Sequence, residues 1–399
     1  MKKLMLLGGL RYLLPVIEAA HKQGYYVITC DYLPDNIAHR YSDEYLNISI
    51  LDKDAVLQAA REHEIDGILS FAVDPGVVTA AYVADRMGLP APGPYDSVCI
   101  LQNKNRFRAF LTEHGFRVPV AKGYKSTEEA LKDVSLFHWP VIVKPTDSAG
   151  SKGVTRVDDP SDLPGSISYA LSFSHCGEFI IEDFIEKKGA SSDCDSFSVD
   201  GTLRVLTFNA QRFDEHASNP YTPAGFTWPC TFSAESQHQL RSELNRLLKL
   251  LDMKTSIYNI EAREDRDGHP YIMEVSPRGG GNRLAEMVRY ATGTDMITAI
   301  VRAAMGDDPG ILEEKPQNCF WAEVILHSDR AGRFDSLEID DRLKGCVREE
   351  DLWVRPGDEV HDFSAANETI GTLVLRFEDP AFMEEVMSNV SRFIQVHVK

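Results

Sequence analysis

Apolar and polar positions in the N-terminal part of the 399-residue chain alternate between two rhythms. Short apolar runs at 3–7, 25–31 and 67–71 read as strands, and amphipathic stretches at 13–23, 53–62 and 75–87 read as helices. Strand and helix in alternation predict a parallel sheet covered on its faces. Gly8-Gly9 stands where a nucleotide-binding loop would follow the first strand, but Leu10, Arg11 and Tyr12 come next without the further glycine of a dinucleotide fingerprint. Asp31, closing the second strand, borders a substrate or structural crevice on this reading. Residues 90–94, PAPGP, form the first clear linker.

Beyond the linker the pattern predicts a helix over 96–114 that contains Lys104, and a helix over 126–133 opened by a capping box, Ser126 with Glu129. An apolar run then delivers Lys144, a glycine-bearing turn follows at 147–153, and a strand is expected at 154–157. Residues 178–185 read as another apolar strand. A hairpin is expected around Asp200-Gly201, followed by a long polar loop at 212–228. Leu240, Leu244, Leu247, Leu248 and Leu251 recur at helical spacing over 235–251 and read as core. Runs at 257–262 and 271–275 flank Asp267-Gly268 and predict a second hairpin, ahead of a helix at 283–292.

Length allows two or three domains, and 43% hydrophobic with 26% charged residues is ordinary globular composition. A net charge of −19 without a basic block argues against nucleic acid or an anionic membrane as the main partner. The apolar N-terminal run is broken by Gly8-Gly9 and Arg11, and no stretch approaches the ~20 apolar residues of a membrane-spanning helix. Seven scattered cysteines without a CxxC spacing read as reduced thiols of a cytoplasmic protein.

The second hairpin carries the densest chemistry. It sets Glu261 beside Glu274 on neighbouring strands with Arg278 and a Gly-Gly-Gly loop just beyond. Two carboxylates, a cation and flexible backbone amides suit Mg²⁺ and the phosphates it bridges, although a solvated surface hairpin fits the same residues. Lys144 on a rigid strand can reach phosphate oxygens while the N–H groups of the following loop cover them, the alternative being a glycine hairpin with a solvated lysine. Backbone groups at the end of the 178–185 strand can hydrogen-bond an adenine edge, and Glu186 can take ribose hydroxyls.

Lys104, Lys144, the 148–153 loop, Glu182 to Ile185, Glu261 and Glu274-x-x-x-Arg278 stand in the order of the ATP-grasp superfamily, which the chain resembles over nearly its whole length. The resemblance is to carboxylate–amine ligases, near purine-biosynthesis ligases and L-amino-acid ligases, and the 354–360 segment with Ile370-Gly371 is similar to the closing domain of the latter. It implies an α/β fold with a Rossmann-like domain over 1–94, an ATP-grasp domain over 95–312 with a small lobe at about 116–186, and a small C-terminal α/β domain over 313–399. It also implies ATP with Mg²⁺, or Mn²⁺ in its place, small-molecule carboxylate and amine substrates, and pairing into a homodimer.

By the same resemblance Lys104 and Lys144 contact the phosphates, and Ser148, Gly150, Ser151 and Gly153 close over them. Asp183 and Ile185 meet adenine through their main chains, Glu182 sits at its amino edge and Glu186 faces ribose. Glu261 and Glu274 ligate the metal. Ser276 stands where the family carries a metal-binding Asn, with water or Asn282 completing the site. Ser191 falls where many relatives have an acid, for which Asp193 or Asp195 compensates. Arg278 lies near the transferred phosphate. From their own chemistry, Arg283 after the glycine loop can hold a substrate carboxylate, as can Arg212 unless it pairs with Asp214 or Glu215, and His216 is either a base for the amine or a solvated loop histidine.

The implied reaction phosphorylates a carboxylate to an acyl-phosphate, which an amine converts to an amide. The alternatives are a purine-type ligase acting on a phosphoribosyl substrate and a non-catalytic ATP sensor.

Overall fold

The computed structural model describes residues 1–148, 152–315 and 319–399. Strands β1 (Lys3–Leu7), β2 (Tyr26–Cys30), β3 (Glu44–Leu46) and β4 (Gly67–Ser70) form a parallel sheet in the order β3-β2-β1-β4. The predicted alternation of strand and helix therefore holds. Asp31 is buried and accepts from Leu33 N (3.1 Å) and Asn36 Nδ2 (3.0 Å), which pins the turn after β2.

The expected 96–114 helix is two helices, Tyr95–Gln102 and Lys104–Glu113. Asn103 leaves helical geometry (φ −109°, ψ 112°) and its side chain accepts from Arg106 N, so it caps the second helix. Lys104 thus opens a helix instead of lying inside one, and its backbone N–H reaches Thr146 O (3.1 Å). Ser126 caps its helix as the capping box predicts, accepting from Glu129 N (3.3 Å).

A second sheet, entirely antiparallel, orders β5 (Ala121–Tyr124), β8 (Phe179–Asp183), β6 (Val141–Pro145) and β7 (Thr155–Val157). A third runs β10 (Thr202–Leu206), β9 (Ser192–Val199), β13 (Ser256–Glu264), β14 (Pro270–Ser276). The helix Ala234–Leu250 covers it with the predicted leucine stripe.

The 212–228 segment is not one loop. β11 (Ala210–Phe213) and β12 (Pro223–Trp228) pair with each other, leaving a shorter connection between them. They join β15 (Phe320–Leu326), β19 (Gly371–Phe377) and β17 (Val347–Leu352) in a sheet of order β11-β12-β15-β19-β17. Its polar loop residues had masked two strands whose inward positions, Phe226 and Trp228, are fully buried. β16 (Gly332–Ile339), β18 (Glu359–Val360) and β20 (Ile394–Val398) complete the fold.

The N-terminal sheet meets the third sheet through the glycine loop. Ala72 N donates to Gly279 O (3.0 Å), and a Cβ on Gly279 would lie 2.2 Å from the Phe71 ring. Gly280 donates its N–H to both oxygens of Asp195 (2.8 and 3.0 Å), with room for no side chain. Gly279→Ala must displace an aromatic ring in a close-packed junction and should cost about 1–3 kcal/mol. A urea melt would show this as a lower midpoint with an unchanged slope.

Candidate functional site

The third sheet presents one polar face assembled from three strands. Strand alternation puts Asp193 and Asp195 of β9, Asn259 and Glu261 of β13, and Glu274 and Ser276 of β14 on it, while Cys194, Ile260 and Val275 between them point into the core. Register aligns them in two rows. Asp193 opposes Glu261, which opposes Glu274; Asp195 opposes Asn259, which opposes Ser276. The hairpin predicted around Asp267-Gly268 is present, Gly268 supplying the left-handed residue (φ +86°).

Glu261 and Glu274 are only loosely neutralised by protein. Arg263 stands 3.5 Å from Glu261, Lys104 stands 3.5 Å from Glu274, and both carboxylates remain about a third exposed. Hard carboxylate oxygens in this state fit Mg²⁺. Asp193 and Asp195 are the acids that sequence reasoning left as mere compensation. Burial, with Glu261 nearby, pushes Asp193 up to about 8, and burial pushes Asp195 up to about 7. Asn259 Nδ2 donates to both, at 2.7 Å to Asp193 and 3.3 Å to Asp195. The repeated polar–apolar–polar triplets Asp-Cys-Asp, Asn-Ile-Glu and Glu-Val-Ser were the available sequence signal for this face.

Ser276 does not offer a free hydroxyl. It accepts from Gln102 Nε2 (2.6 Å) and donates to Asp74 Oδ1 (3.0 Å). Arg278 joins the same group, its Nε (2.9 Å) and Nη2 (2.6 Å) clamping Asp74 bidentately while Nη1 donates to Gly279 O (3.1 Å). Burial raises the Asp74 carboxyl, but Arg278 and then Ser276 outweigh it and leave the group below its usual range. Asp74 and Gln102 carried no motif, and only folding brings them to Ser276. Asn282, the other proposed substitute ligand, instead accepts from Tyr12 Oη (2.9 Å).

The cations come from the helix Lys104–Glu113 and from β6 of the second sheet. Lys104 Nζ donates to Ser148 O (3.0 Å), anchoring the entrance of the 148–153 loop. Gly150 and Ser151 lie outside the described residues; Gly153 adopts φ +72°. Lys144 Nζ lies 2.8 Å from Glu182 Oε2, and Arg108 Nε lies 2.9 Å from Glu182 Oε1 without hydrogen-bond alignment. Glu182 therefore sits in a buried charge trio and not at an open edge. Burial raises its carboxyl, but Arg108 and Lys144 outweigh that and hold it at about 2. At Lys144 the balance reverses: burial wins over Glu182, and the ammonium falls below its usual range. Arg108 escaped the sequence reading although it lies one helical turn beyond Lys104 on the same face.

Asp183 spends its backbone N–H on Val120 O (2.9 Å) and its carboxylate on His138, whose N and Nδ1 lie at 2.9 and 2.8 Å. Ile185 is buried just past the end of β8, and Glu186 pairs with Arg266 (3.2 Å) at the surface.

Three candidates are differently employed. Arg212 is bound bidentately by Glu384 (2.8 and 2.6 Å), and Arg283 is committed to Glu286 (2.9 Å) and Glu349. Neither guanidinium is a free carboxylate clamp. His216 is exposed in the connection after β11, which Asp214 ties to His327 (3.1 Å) and Asn219 ties to Phe363 O (3.3 Å). All seven cysteines are free, and no described helix is long and apolar enough to cross a membrane.

Residues 137–286 match the model of the ATP-grasp domain family. The chain is 24% identical over 304 residues to an uncharacterized protein, y4rH, of Sinorhizobium fredii, covering 74% of this chain and 61% of that one. It is 23% identical over 301 residues to the carbamoyl phosphate synthase large chain of Halomonas eurihalina, across 74% of this chain but only 27% of that protein. The chain thus spans less than two thirds of the length of these relatives. The crystal structure of an L-amino acid ligase from Bacillus licheniformis superposes with a TM-score of 0.82 at 20% identity, covering 100% of this chain and 99% of the other.

Glu182→Gln would leave Arg108 and Lys144 facing an uncharged partner in a buried site, a loss of about 3–5 kcal/mol at neutral pH. An ordinary glutamate titrates near ~4.3, above the folded value, so the trio's contribution is present above that pH and fades as pH falls towards about 2. Urea melts of both proteins across this range should show the gap between them closing on acidification.

Proposed function

We propose that this ATP-grasp chain is an ATP-dependent ligase that joins a small carboxylate to an amine with release of ADP and phosphate. The observation that carries the reading is the convergence of Glu261 and Glu274, opposed across β13 and β14, with Lys104, which touches both Glu274 and the entrance of the 148–153 loop. A nucleotide phosphate chain needs that combination of metal-binding oxygens and cations; an ordinary surface hairpin does not.

In this reading the substrate carboxylate attacks the γ-phosphorus of ATP, a new O–P bond forms and ADP leaves. The amine then attacks the activated carbonyl carbon, the C–O bond to phosphate breaks, and an amide, phosphate and a proton result. Glu261 and Glu274 would hold Mg²⁺, which supplies charge neutralisation at the phosphates when bound. Lys104 and Lys144 orient the phosphates, Lys144 being fixed from below by Glu182. Arg278 acts beside the transferring group: three of its five N–H donors are used on Asp74 and Gly279, and its position is thereby set. The chemistry asks mainly for positioning and charge, so no cysteine is needed as a nucleophile. L-Amino acids are the substrates of first choice, in line with the ligase that superposes along the full chain.

Ser276 favours a second reading, a nucleotide sensor without turnover, because its hydroxyl is spent on Gln102 and Asp74. ADP release measured against pooled carboxylates and amines separates the two. The ligase gives release that depends on one carboxylate pool, and Glu274→Gln lowers it by at least ~100-fold while ADP still raises the melting temperature. Unaltered release in that variant would refute the metal assignment. Nucleotide-dependent stabilisation with no release from any pool would favour the sensor.

A further inference from the structure

The metal-facing row of the third sheet is longer than the hairpin that supplies its two glutamates. Asp193 of β9 opposes Glu261 of β13, and Glu261 opposes Glu274 of β14, so three carboxylates stand abreast on adjacent strands. Cross-strand partners on one face hold their Cβ atoms about 4.5–5.5 Å apart, so Glu261 in the middle can share a cation with either neighbour. Asp193 and Glu274 are two strands apart and pair with Glu261 more readily than with each other.

Positive charge from the protein is sparse along this row. Arg263 stands 3.5 Å from Glu261, Lys104 stands 3.5 Å from Glu274, and Asp193 has no ion pair among the described residues. Asn259 Nδ2 donates to Asp193 Oδ1 (2.7 Å), which directs the carboxyl group and leaves Oδ2 without a hydrogen bond among the described residues. Asp195, two positions along the same strand, is fully committed. Gly280 N–H reaches both its oxygens (2.8 and 3.0 Å), and the residue is 0% exposed. Asp195 thus fastens the glycine loop, whereas Asp193 is partly exposed and its carboxyl group meets Asn259 alone.

On the other side of Glu274 the face is closed. Ser276 is 1% exposed, and its hydroxyl is held between Gln102 (2.6 Å) and Asp74 (3.0 Å). A second cation therefore finds protein oxygens beside Glu261 on the β9 side and not at Ser276. Mg²⁺ and Mn²⁺ take carboxylate oxygens and keep several waters, so two carboxylates and phosphate oxygens suffice for one ion. The Glu261 charge opposes ionisation of Asp193, a conflict that a shared divalent cation removes.

We propose that Asp193 is a metal ligand. With nucleotide bound, the site then holds two divalent cations, one on Glu261 and Glu274 and a second on Glu261 and Asp193. The proposal rests on the nucleotide and metal assignment of the ligase reading, and gives Asp193 the ligand role that Ser276 does not fill.

The test counts bound Mn²⁺ by the electron paramagnetic resonance signal of the free ion. The full chain is titrated with a non-hydrolysable ATP analogue at equal concentration, both above the analogue's dissociation constant. Native protein takes up two Mn²⁺ per nucleotide complex. Asp193→Asn, which keeps the side chain's size and its acceptor for Asn259, holds the second ion at least ~tenfold more weakly, because the charge count at the ion falls. Ser276→Ala keeps both ions. Glu274→Gln weakens one ion and keeps the other, whereas Glu261→Gln, shared by the two, weakens both; these two variants judge the proposal even if Asp193→Asn does not fold. One ion in the native complex, two undiminished ions in Asp193→Asn, or loss of an ion in Ser276→Ala would overturn the role of Asp193 while leaving the nucleotide site standing. Failure of the native chain to bind the analogue or any Mn²⁺ beyond what the free analogue binds would overturn the nucleotide and metal assignment itself, and Asp193 with it.

Discussion

Register between β13 and β14 is the constraint on which the site depends. Pairing Asn259 with Ser276 and Glu261 with Glu274 fixes which side chains share a face and which enter the core. Side chains alternate with a period of two, so a slip by one residue would bring Ile260 or Val275 against the carboxylates and bury an acid. The turn at Asp267-Gly268 and the buried Ile260 and Val275 exclude that slip. β9 extends the same logic by adding Asp193 and Asp195 to the two rows.

The second determinant is how an acidic chain deploys its cations. Many of them in the interior are held by carboxylates: Arg278 by Asp74, Arg108 and Lys144 by Glu182, Arg283 by Glu286 and Glu349. A buried cation needs a partner, and the partner restricts its direction. Arg278 gains a fixed position at the junction of the N-terminal sheet and the glycine loop. Arg283 is committed to Glu286 and Glu349 in the same way. Lys104 is different, because 3.5 Å to Glu274 is a loose contact and its tighter bond is to a loop carbonyl.

Legibility in the sequence followed the range of the interactions involved. The parallel N-terminal sheet, the leucine-striped helix and the Asp267-Gly268 hairpin were readable because each is written in a local period or turn. The break at Asn103 was not read, since the apolar pattern runs through it and the cap alone marks the boundary. The strands β11 and β12 were hidden by the polar segment between them, and β12 is held in its sheet by β15, a distant segment of the chain. Ser276 was placed by motif position, Arg283 by following the glycine loop and His216 by its imidazole in a polar segment, and the groups that occupy them or anchor their surroundings, Asp74, Gln102, Glu349 and His327, come from distant segments.

By itself the sequence determined most of the element types, the order of Lys104, Lys144, Glu261 and Glu274 along the chain, and the strand face that Glu261 and Glu274 share, because periodicity and turn chemistry are local. Tertiary structure alone decided which charges neutralise one another and which are left unmet. Asp74 reaches Arg278 across 204 positions of chain, and Glu323 lies buried beside an arginine already claimed by others. Such pairings depend on sheet order and on close packing between layers, and no local pattern encodes either.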